Sequence, residues 1–359
     1  MASSFRKCGK STVRNIPGAR LSLQNTETVL SCGIEAVDYI LGGGLPVGGI
    51  FVLEEDCFAT YSKQVVKYFV AEGIVQNHKV YFASGEADPQ KWLRELPRTQ
   101  SCTTGAGVPS SSEGDRDLKI AFRYDSHPKQ ESLPAQDTTG RYFDFTERIE
   151  LEKLAAAQVI TYGPCQKSEK ACQSHAGIMG AEYMSLLKDI SSSLKDIKTP
   201  DGSITNVLRV SLNGLGSAAW GIPCQLPAFL YALKCIVREE PTTVLVTVPS
   251  HLAECYPSVS LQCRRIADIV LRLESFSDCT RSANPLFKNY HGLLHFAKIS
   301  RTASHSYQMP GCDFLFHQRS KKFLIEKLHL PPDIGGSIDE KASERNVGPA
   351  CGENTKFSF

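Results

Sequence analysis

Residues 40–56 read ILGGGLPVGGIFVLEED and place five glycines within eight positions, directly ahead of an apolar run. That is the composition of a loop able to cradle phosphate. A phosphate loop works because it follows a strand and opens a helix, so that backbone N–H groups and the helix N-terminus converge on the anion. The glycines at 42–44, 48 and 49 stand before the strand IFVLE; they shape a turn into a sheet and do not point at its carboxyl edge, where ligands of such sheets bind. The stretch in the right place is EEDCFATYSK, residues 54–63. It lacks the G-x-x-x-x-G-K-[ST] pattern: it holds no glycine, and Tyr61 stands where the lysine would precede Ser62. A loop without glycine keeps its backbone farther from a phosphate, and one without lysine brings no charge to the β and γ oxygens. Tight nucleotide binding by the usual geometry is not expected.

The other chemistry-bearing residues are isolated. A metal-holding acid would end a later strand, but LRVSLNGL carries Asn213 there, an amide that brings no charge to a divalent cation. Glu86, in FASGEAD, is the acid left at a plausible carboxyl edge, and it reads first as a solvated loop acid or a cap for a helix beginning near Pro89, ahead of a functional acid. His251, in VPSHL, has no partner in sequence and reads as a structural histidine ahead of a catalytic one. GKST at 9–12 has the lysine and hydroxyl of a phosphate loop but no preceding strand, and reads as a chance match. No triad, carboxylate pair or metal set emerges, so the residues predict no catalytic centre and no tightly bound cofactor.

The elements that must position these residues follow from periodicity. LSCGIEAVDYIL has apolar residues at helical spacing; GIFVLE reads as a buried strand, SKQVVKYFVAEGIVQN as an amphipathic helix and KVYFAS as a second strand. In AEYMSLLKDISSSLKDI, Tyr183, Leu186, Leu187, Ile190, Leu194 and Ile197 share one helical face. NVLRVSLNGLGS, TTVLVTVPSHL and IADIVLRLES read as strands, with the helix PAFLYALKCIVRE among them, and GLLHFAKI and KKFLIEKLHL as two more strands joined by a polar loop. Alternating strands and helices of this kind make a parallel sheet covered by helices. Residues 98–117, 125–141 and 300–319 read as flexible insertions, 1–28 as a disordered basic arm and 334–359 as a disordered tail, leaving 29–333 as one α/β domain.

Bulk composition limits the function classes. The net charge of +2 gives no global field for nucleic acid, so such binding must come from local patches. Thirteen cysteines without a C-x-x-C pair read as reduced and not metal-bound. No run of about eighteen apolar residues predicts a membrane span. The first 26 residues hold five Lys or Arg and no acid, the composition of a mitochondrial presequence as much as of a basic arm.

The helix GIEAVDYILGGGLPVGG, then strand, altered loop, helix and KVYFASGEADPQKWLRELP resembles a RecA-type or KaiC-type ATPase core whose phosphate loop has decayed. More narrowly, LGGGLPVGG, KYFVAEGIV, LNGLGSAAWG, NPLFKNYHGLLHF, IEKLHLPPD and GPACG are similar to the fourth-subunit family of the Elongator complex. That resemblance implies a RecA-like fold in a six-membered ring with Elongator subunits five and six. It further implies partnership with the catalytic Elongator subcomplex and with tRNA, in the modification of wobble uridine to 5-carbonylmethyl derivatives, in cytoplasm and nucleus. The radical and acetyl-transfer chemistry of that family belongs to another subunit, so this chain is expected to be non-catalytic, with ATP, if bound at all, at ring interfaces. The alternatives are an NTPase with an unusual loop, or a scaffold without RNA contact. An RNA backbone needs clustered cations; the candidates are Arg264 and Arg265 in LQCRRIAD, Lys288 in NPLFKNYHG, and Arg319, Lys321 and Lys322 in HQRSKK. The Arg264–Arg265 pair is preferred, as lying in a connecting segment ahead of a strand, with Asp268 a possible partner for one of them. Each is also readable as an ordinary solvated charge.

Overall fold

The computed structural model describes residues 17–21, 28–85, 88–100, 142–164, 179–197, 206–278, 287–299, 314–319 and 323–327. Three short strands come first: β1 (Ala19–Leu21), β2 (Thr28–Leu30) and β3 (Leu45–Pro46) form a small antiparallel sheet in that order, with helix α1 (Glu35–Ile40) between β2 and β3. Then follow β4 (Ile50–Glu54), α2 (Thr60–Val75), β5 (Lys79–Ser84), α3 (Pro89–Arg94), β6 (Pro97–Gln100), β7 (Tyr142–Arg148), α4 (Leu151–Ala156) and β8 (Val159–Tyr162). The rest of the order is α5 (Ala181–Lys195), β9 (Leu208–Asn213), α6 (Leu226–Val237), β10 (Thr242–Val248), α7 (Ser250–Cys255), α8 (Pro257–Ile266), β11 (Ile269–Ser275), β12 (Gly292–Lys298), β13 (Phe314–Gln318) and β14 (Phe323–Lys327).

Nine strands make the main sheet, ordered β14-β13-β12-β11-β4-β10-β9-β5-β8. From β11 to β8 every pairing is parallel, and β12, β13 and β14 extend the sheet antiparallel at one end. Side chains alternate between two cores because successive Cβ atoms leave opposite faces. Phe51 and Leu53 of β4, Val80 and Phe82 of β5 and Leu245 of β10 enter the core under α1, α2 and α3. Ile50 and Val52, Tyr81 and Ala83, and Val244, Val246 and Val248 enter the core under α5, α6 and α8. Continuous apolar strands are what double-sided burial requires. The architecture is α/β, a mixed sheet covered by helices, consistent with the RecA-like fold expected. Tyr183, Leu186, Leu187, Ile190, Leu194 and Ile197 are all buried in the second core.

The glycine run is a turn and not a cradle. Gly44 has φ +138°, and a Cβ on it would stand 2.4 Å from the Leu30 carbonyl oxygen; Gly48 has φ +79°, and a Cβ there would stand 2.6 Å from the Arg238 carbonyl oxygen. These glycines let β3 lie against β2 and let the chain enter β4 beneath the end of α6. Gly44→Ala is therefore expected to lower stability by about 2 kcal/mol or more, through backbone collision and a disfavoured φ together. Denaturant midpoints at unchanged m-value check this.

Three expectations are corrected. Ala19–Leu21, inside the segment read as an arm, pairs with β2. Residues 98–100, read as the start of an insertion, belong to β6 and pair with β7. Phe314–Gln318, read as loop, forms β13 between β12 and β14. In each case a short strand of mixed polarity is stabilised by a partner distant in sequence, a pairing that local periodicity does not register. Residues 101–117, 125–141 and 334–359 lie outside the described residues. Among the described residues no helix is long and apolar enough to cross a membrane.

One polar cluster is buried beside β9. Arg209 is fully buried; its Nε donates to His78 Nδ1 at 2.9 Å, its Nη1 to the Ser31 carbonyl at 2.9 Å, and its guanidinium lies over the Phe69 ring at 5.1 Å. Since Nδ1 accepts, the imidazole carries its proton on Nε2, which donates to the Pro17 carbonyl at 2.7 Å. Gly73, in the last turn of α2, makes room: a Cβ there would stand 2.7 Å from Arg209 Cδ. Asp38 and Glu72 act on the guanidinium electrostatically. Asp38 itself accepts from Ser31 Oγ at 2.5 Å and the Cys32 N–H at 2.8 Å.

Candidate functional site

The carboxyl ends of β4, β5, β9 and β10 open on one cleft of about 430 Å³. Glu55 and Asp56 enter it from the loop after β4, Lys63 from α2, Asn213 from the end of β9, Thr247 from β10 and His251 from α7. This is the ligand position of a doubly wound sheet, and what fills it decides what the chain can do. The loop after β4 ends at Ala59, which takes a left-handed conformation with φ 51° and ψ 27°, and α2 begins at the next residue. That turn brings the Asp56 carboxylate over the start of the helix. Thr60 N–H donates to Asp56 Oδ2 at 2.9 Å, while Tyr61 and Ser62 N–H donate to Oδ1 at 3.1 and 2.9 Å. The Ala59 N–H donates to the Asp56 carbonyl at 2.9 Å. One residue thus satisfies the four N–H groups that a helix leaves open at its start, and the negative charge sits at the positive end of the helix dipole.

Glu55 points to the other wall. The Thr247 hydroxyl donates to it and accepts from the Gly214 N–H at 2.8 Å, so this hydroxyl ties the loops after β4 and β9 together. Burial pushes the Glu55 carboxyl above the ordinary carboxylate range, the Thr247 hydrogen bond opposes this, and Asp56 adds to the rise. Lys63 and His251 act in the opposite direction. Asn213 is anchored at backbone and side chain: Trp220 Nε1 donates to its carbonyl at 3.0 Å, and the Ser211 hydroxyl donates to its Oδ1 at 3.2 Å. Trp220 is fully buried and stacks on Tyr162 at 6.2 Å between centroids.

Of the sequence-predicted loop positions, Ser62 and Asn213 line the cleft. Tyr61 does not. It packs instead toward the antiparallel end of the sheet, stacked on His291 at 5.7 Å and edge-on to Phe316 at 4.9 Å. Glu86 lies outside the described residues; the cap of α3 is Asp88, which accepts from the Lys91 N–H at 3.0 Å. His251 lines the cleft as an exposed side chain. Sequence reasoning missed Glu55, Asp56 and Lys63. The available signal was the acidic run itself, since an Asp a few residues ahead of a helix start is a capping residue type.

The basic candidates separate. Arg264 and Arg265 sit in the last turn of α8 and not in a connecting segment, because Pro257 starts a helix whose period carries through both. Arg264 is held by Glu54: Nη2 donates to Oε2 at 2.7 Å and Nε to Oε1, and these hydrogen bonds raise its already high pKa. Asp268 pairs with neither arginine. It accepts from Lys234 Nζ at 2.7 Å and from the Ile50 N–H at 2.9 Å. Arg265 is exposed, and its carbonyl accepts from Lys298 at 2.8 Å, at one end of β12. Lys288 and Arg319 are exposed near the other end, where Gln318 N–H donates to His291 Nδ1 at 2.9 Å and Gly292 faces Phe316. The two ends are roughly 20 Å apart at strand spacing. Lys321 and Lys322 lie outside the described residues. The candidate cations therefore resolve, among those described, into one arginine held by Glu54, one exposed arginine, and Lys288 and Arg319 near the other end of β12.

With this geometry in hand, comparison with known proteins places the chain. The family model described as PAXNEB protein matches residues 12–358. Elongator complex protein 4 of Danio rerio is 34% identical over 372 residues, covering 97% of this chain and 93% of its own length. The proteins of the same name from Mus musculus and Homo sapiens are each 32% identical, covering 97% and 94% of this chain and 91% and 86% of their own lengths. A match of this extent takes in every element of the sheet and the whole cleft, and the chain belongs to the PAXNEB protein family.

Proposed function

We propose that this chain is a non-catalytic subunit of the Elongator complex, seated in a ring with subunits five and six and contributing to the hold on tRNA during wobble-uridine modification. The observation that carries this reading is similarity to proteins named Elongator complex protein 4 along almost the whole chain. Two features support it. The junction between β4 and α2 is closed by a carboxylate and carries no lysine at position 61, which argues against phosphoryl transfer by this chain. Tyr231 of α6, with Tyr256 and Leu261 beside and on α8, leaves large apolar surface exposed on helices in mutual contact, as in a chain that completes its surface with neighbours.

The test is co-expression with the two ring partners, followed by tRNA binding across a salt series. Lys288 and Arg319, both exposed and flanking in sequence the His291–Gln318 contact, are a better choice than Arg264, whose reversal would break its ion pair with Glu54. Lys288→Glu with Arg319→Glu is expected to leave the copurified assembly intact, weaken tRNA binding and lower the log–log salt slope by roughly one to two units. Arg265→Glu is the independent comparison. An assembly that forms but binds no tRNA would favour a scaffold; failure to copurify with either partner would overturn the ring.

A further inference from the structure

We infer that Asp56 is an anion built into the chain, occupying the seat that a phosphate takes at a strand–loop–helix junction, and that it closes the cleft to phosphate-bearing ligands. Three consecutive backbone N–H groups at the start of a sixteen-residue helix converge on one point, which is the arrangement that binds phosphate elsewhere. Here the point is taken by a carboxylate from the same chain, and the residue bearing it is 2% exposed. A ligand phosphate would have to displace it, and would meet its charge and that of Glu55 in the same cleft.

A second observation shows that the surroundings suit an added oxyanion. Ser62 lines the cleft and is 1% exposed, yet its Oγ is buried without a hydrogen-bond partner. A buried hydroxyl left unsatisfied is costly, and a ligand anion seated at the helix start would give it an acceptor. Lys63 lines the same cleft and supplies the positive charge. The site thus has donors and a cation, and the carboxylate of Asp56 stands in the place of the ligand. What distinguishes this from an ordinary helix cap is its consequence: removing the carboxylate does more than destabilise, since it opens a seat that an external anion refills.

The experiment measures thermal midpoints of the purified full chain, with and without millimolar pyrophosphate, against potassium chloride of equal ionic strength. Wild type should show no pyrophosphate-specific shift. Asp56→Ser, which removes the carboxylate and leaves space, should melt lower and recover by several degrees, saturably, as pyrophosphate is added. Its affinity should exceed that of wild type by at least about tenfold. Should Asp56→Ser not fold, Asp56→Asn carries the test; it keeps the side-chain shape, loses the charge, and should show a weaker response that wild type still lacks. Asp56→Ser or Asp56→Asn folded by circular dichroism but indifferent to pyrophosphate would overturn the inference and reduce Asp56 to a cap. Wild type binding pyrophosphate as tightly as the variants would overturn it as well. No RNA or ring partner enters the measurement, so its outcome is separable from the Elongator assignment.

Discussion

Arg209→Met is expected to lower folding stability by about 3–5 kcal/mol, the usual cost of removing one member of a buried charged network and leaving the others uncompensated. The guanidinium is fully buried and joins β9 to α2, to His78 and to the Ser31 carbonyl. Without it, His78 Nδ1 loses its donor, and Asp38 and Glu72 lose the positive charge that acts with them. A shift in denaturant midpoint below about 1 kcal/mol at constant m-value would show that the methylene stem, not the charge, does the stabilising. The same cluster sets an opposed pair of pH effects. Burial, reinforced by Arg209, lowers His78 from 6.5 to about 4, so between those values the unfolded chain takes up a proton that the folded chain refuses, and stability is lost as pH falls. Burial raises Asp38 from 3.8 to about 6, so in that window the folded chain holds the extra proton, and stability is lost as pH rises. The two slopes oppose each other across roughly pH 4–6, each worth on the order of 2–3 kcal/mol. Asp38→Asn should leave a steeper gain of stability with rising pH, and His78→Gln should reverse the sign. Parallel profiles for wild type and both variants would contradict the opposed titrations.

Trp220→Ala is expected to cost about 3–5 kcal/mol, because a fully buried indole is lost together with its stacking on Tyr162. The damage reaches the cleft, since Trp220 Nε1 is the donor to the Asn213 carbonyl at the end of β9. Trp220→Phe keeps a ring in place and removes that donor, and should cost a smaller share, about 1–3 kcal/mol beyond the lost volume for the carbonyl left unpaired. Urea unfolding of the pair separates the two contributions; equal losses would mean that the hydrogen bond, not the packing, governs the site.

The sheet was legible where residues repeat with the period of their element. Runs such as IFVLE and TTVLVTV are buried on both faces and became β4 and β10, and Tyr183, Leu186, Leu187, Ile190 and Leu194 of α5, with Ile197 just beyond it, all turned inward. The glycine run was legible too, because its position ahead of β4 disqualified it as a cradle. What stayed hidden depends on residues meeting across long separations. β6 and β7, with Gln100 opposite Tyr142, mix polar residues with Phe143 and Phe145, and their pairing spans a long stretch of chain. Asp56 was hidden for a local reason: its carboxylate reaches the helix start only because Ala59 adopts a left-handed turn, which nothing in an alanine announces. Arg209 reads in sequence as an ordinary charge in a strand, and its burial depends on Gly73, His78 and Phe69. The Arg264–Glu54 pair was hidden as well, because its two members lie 210 residues apart in sequence.

The order of strands in the sheet also bears on how the protein is made. β4 lies at the middle of the sheet between β10 and β11, and its first residue is joined to Asp268 across 218 residues of chain. Translation at about 5–20 residues per second leaves an apolar strand, fully buried in the finished protein, waiting some tens of seconds for both neighbours to emerge. α2 can cover one face early, since it follows directly, but the other face and both edges stay open until the last third of the sheet has been synthesised. An apolar strand with open edges is thus exposed to wrong pairing during that interval, and a truncation that removes β10 and β11 leaves β4 with neither of its neighbours.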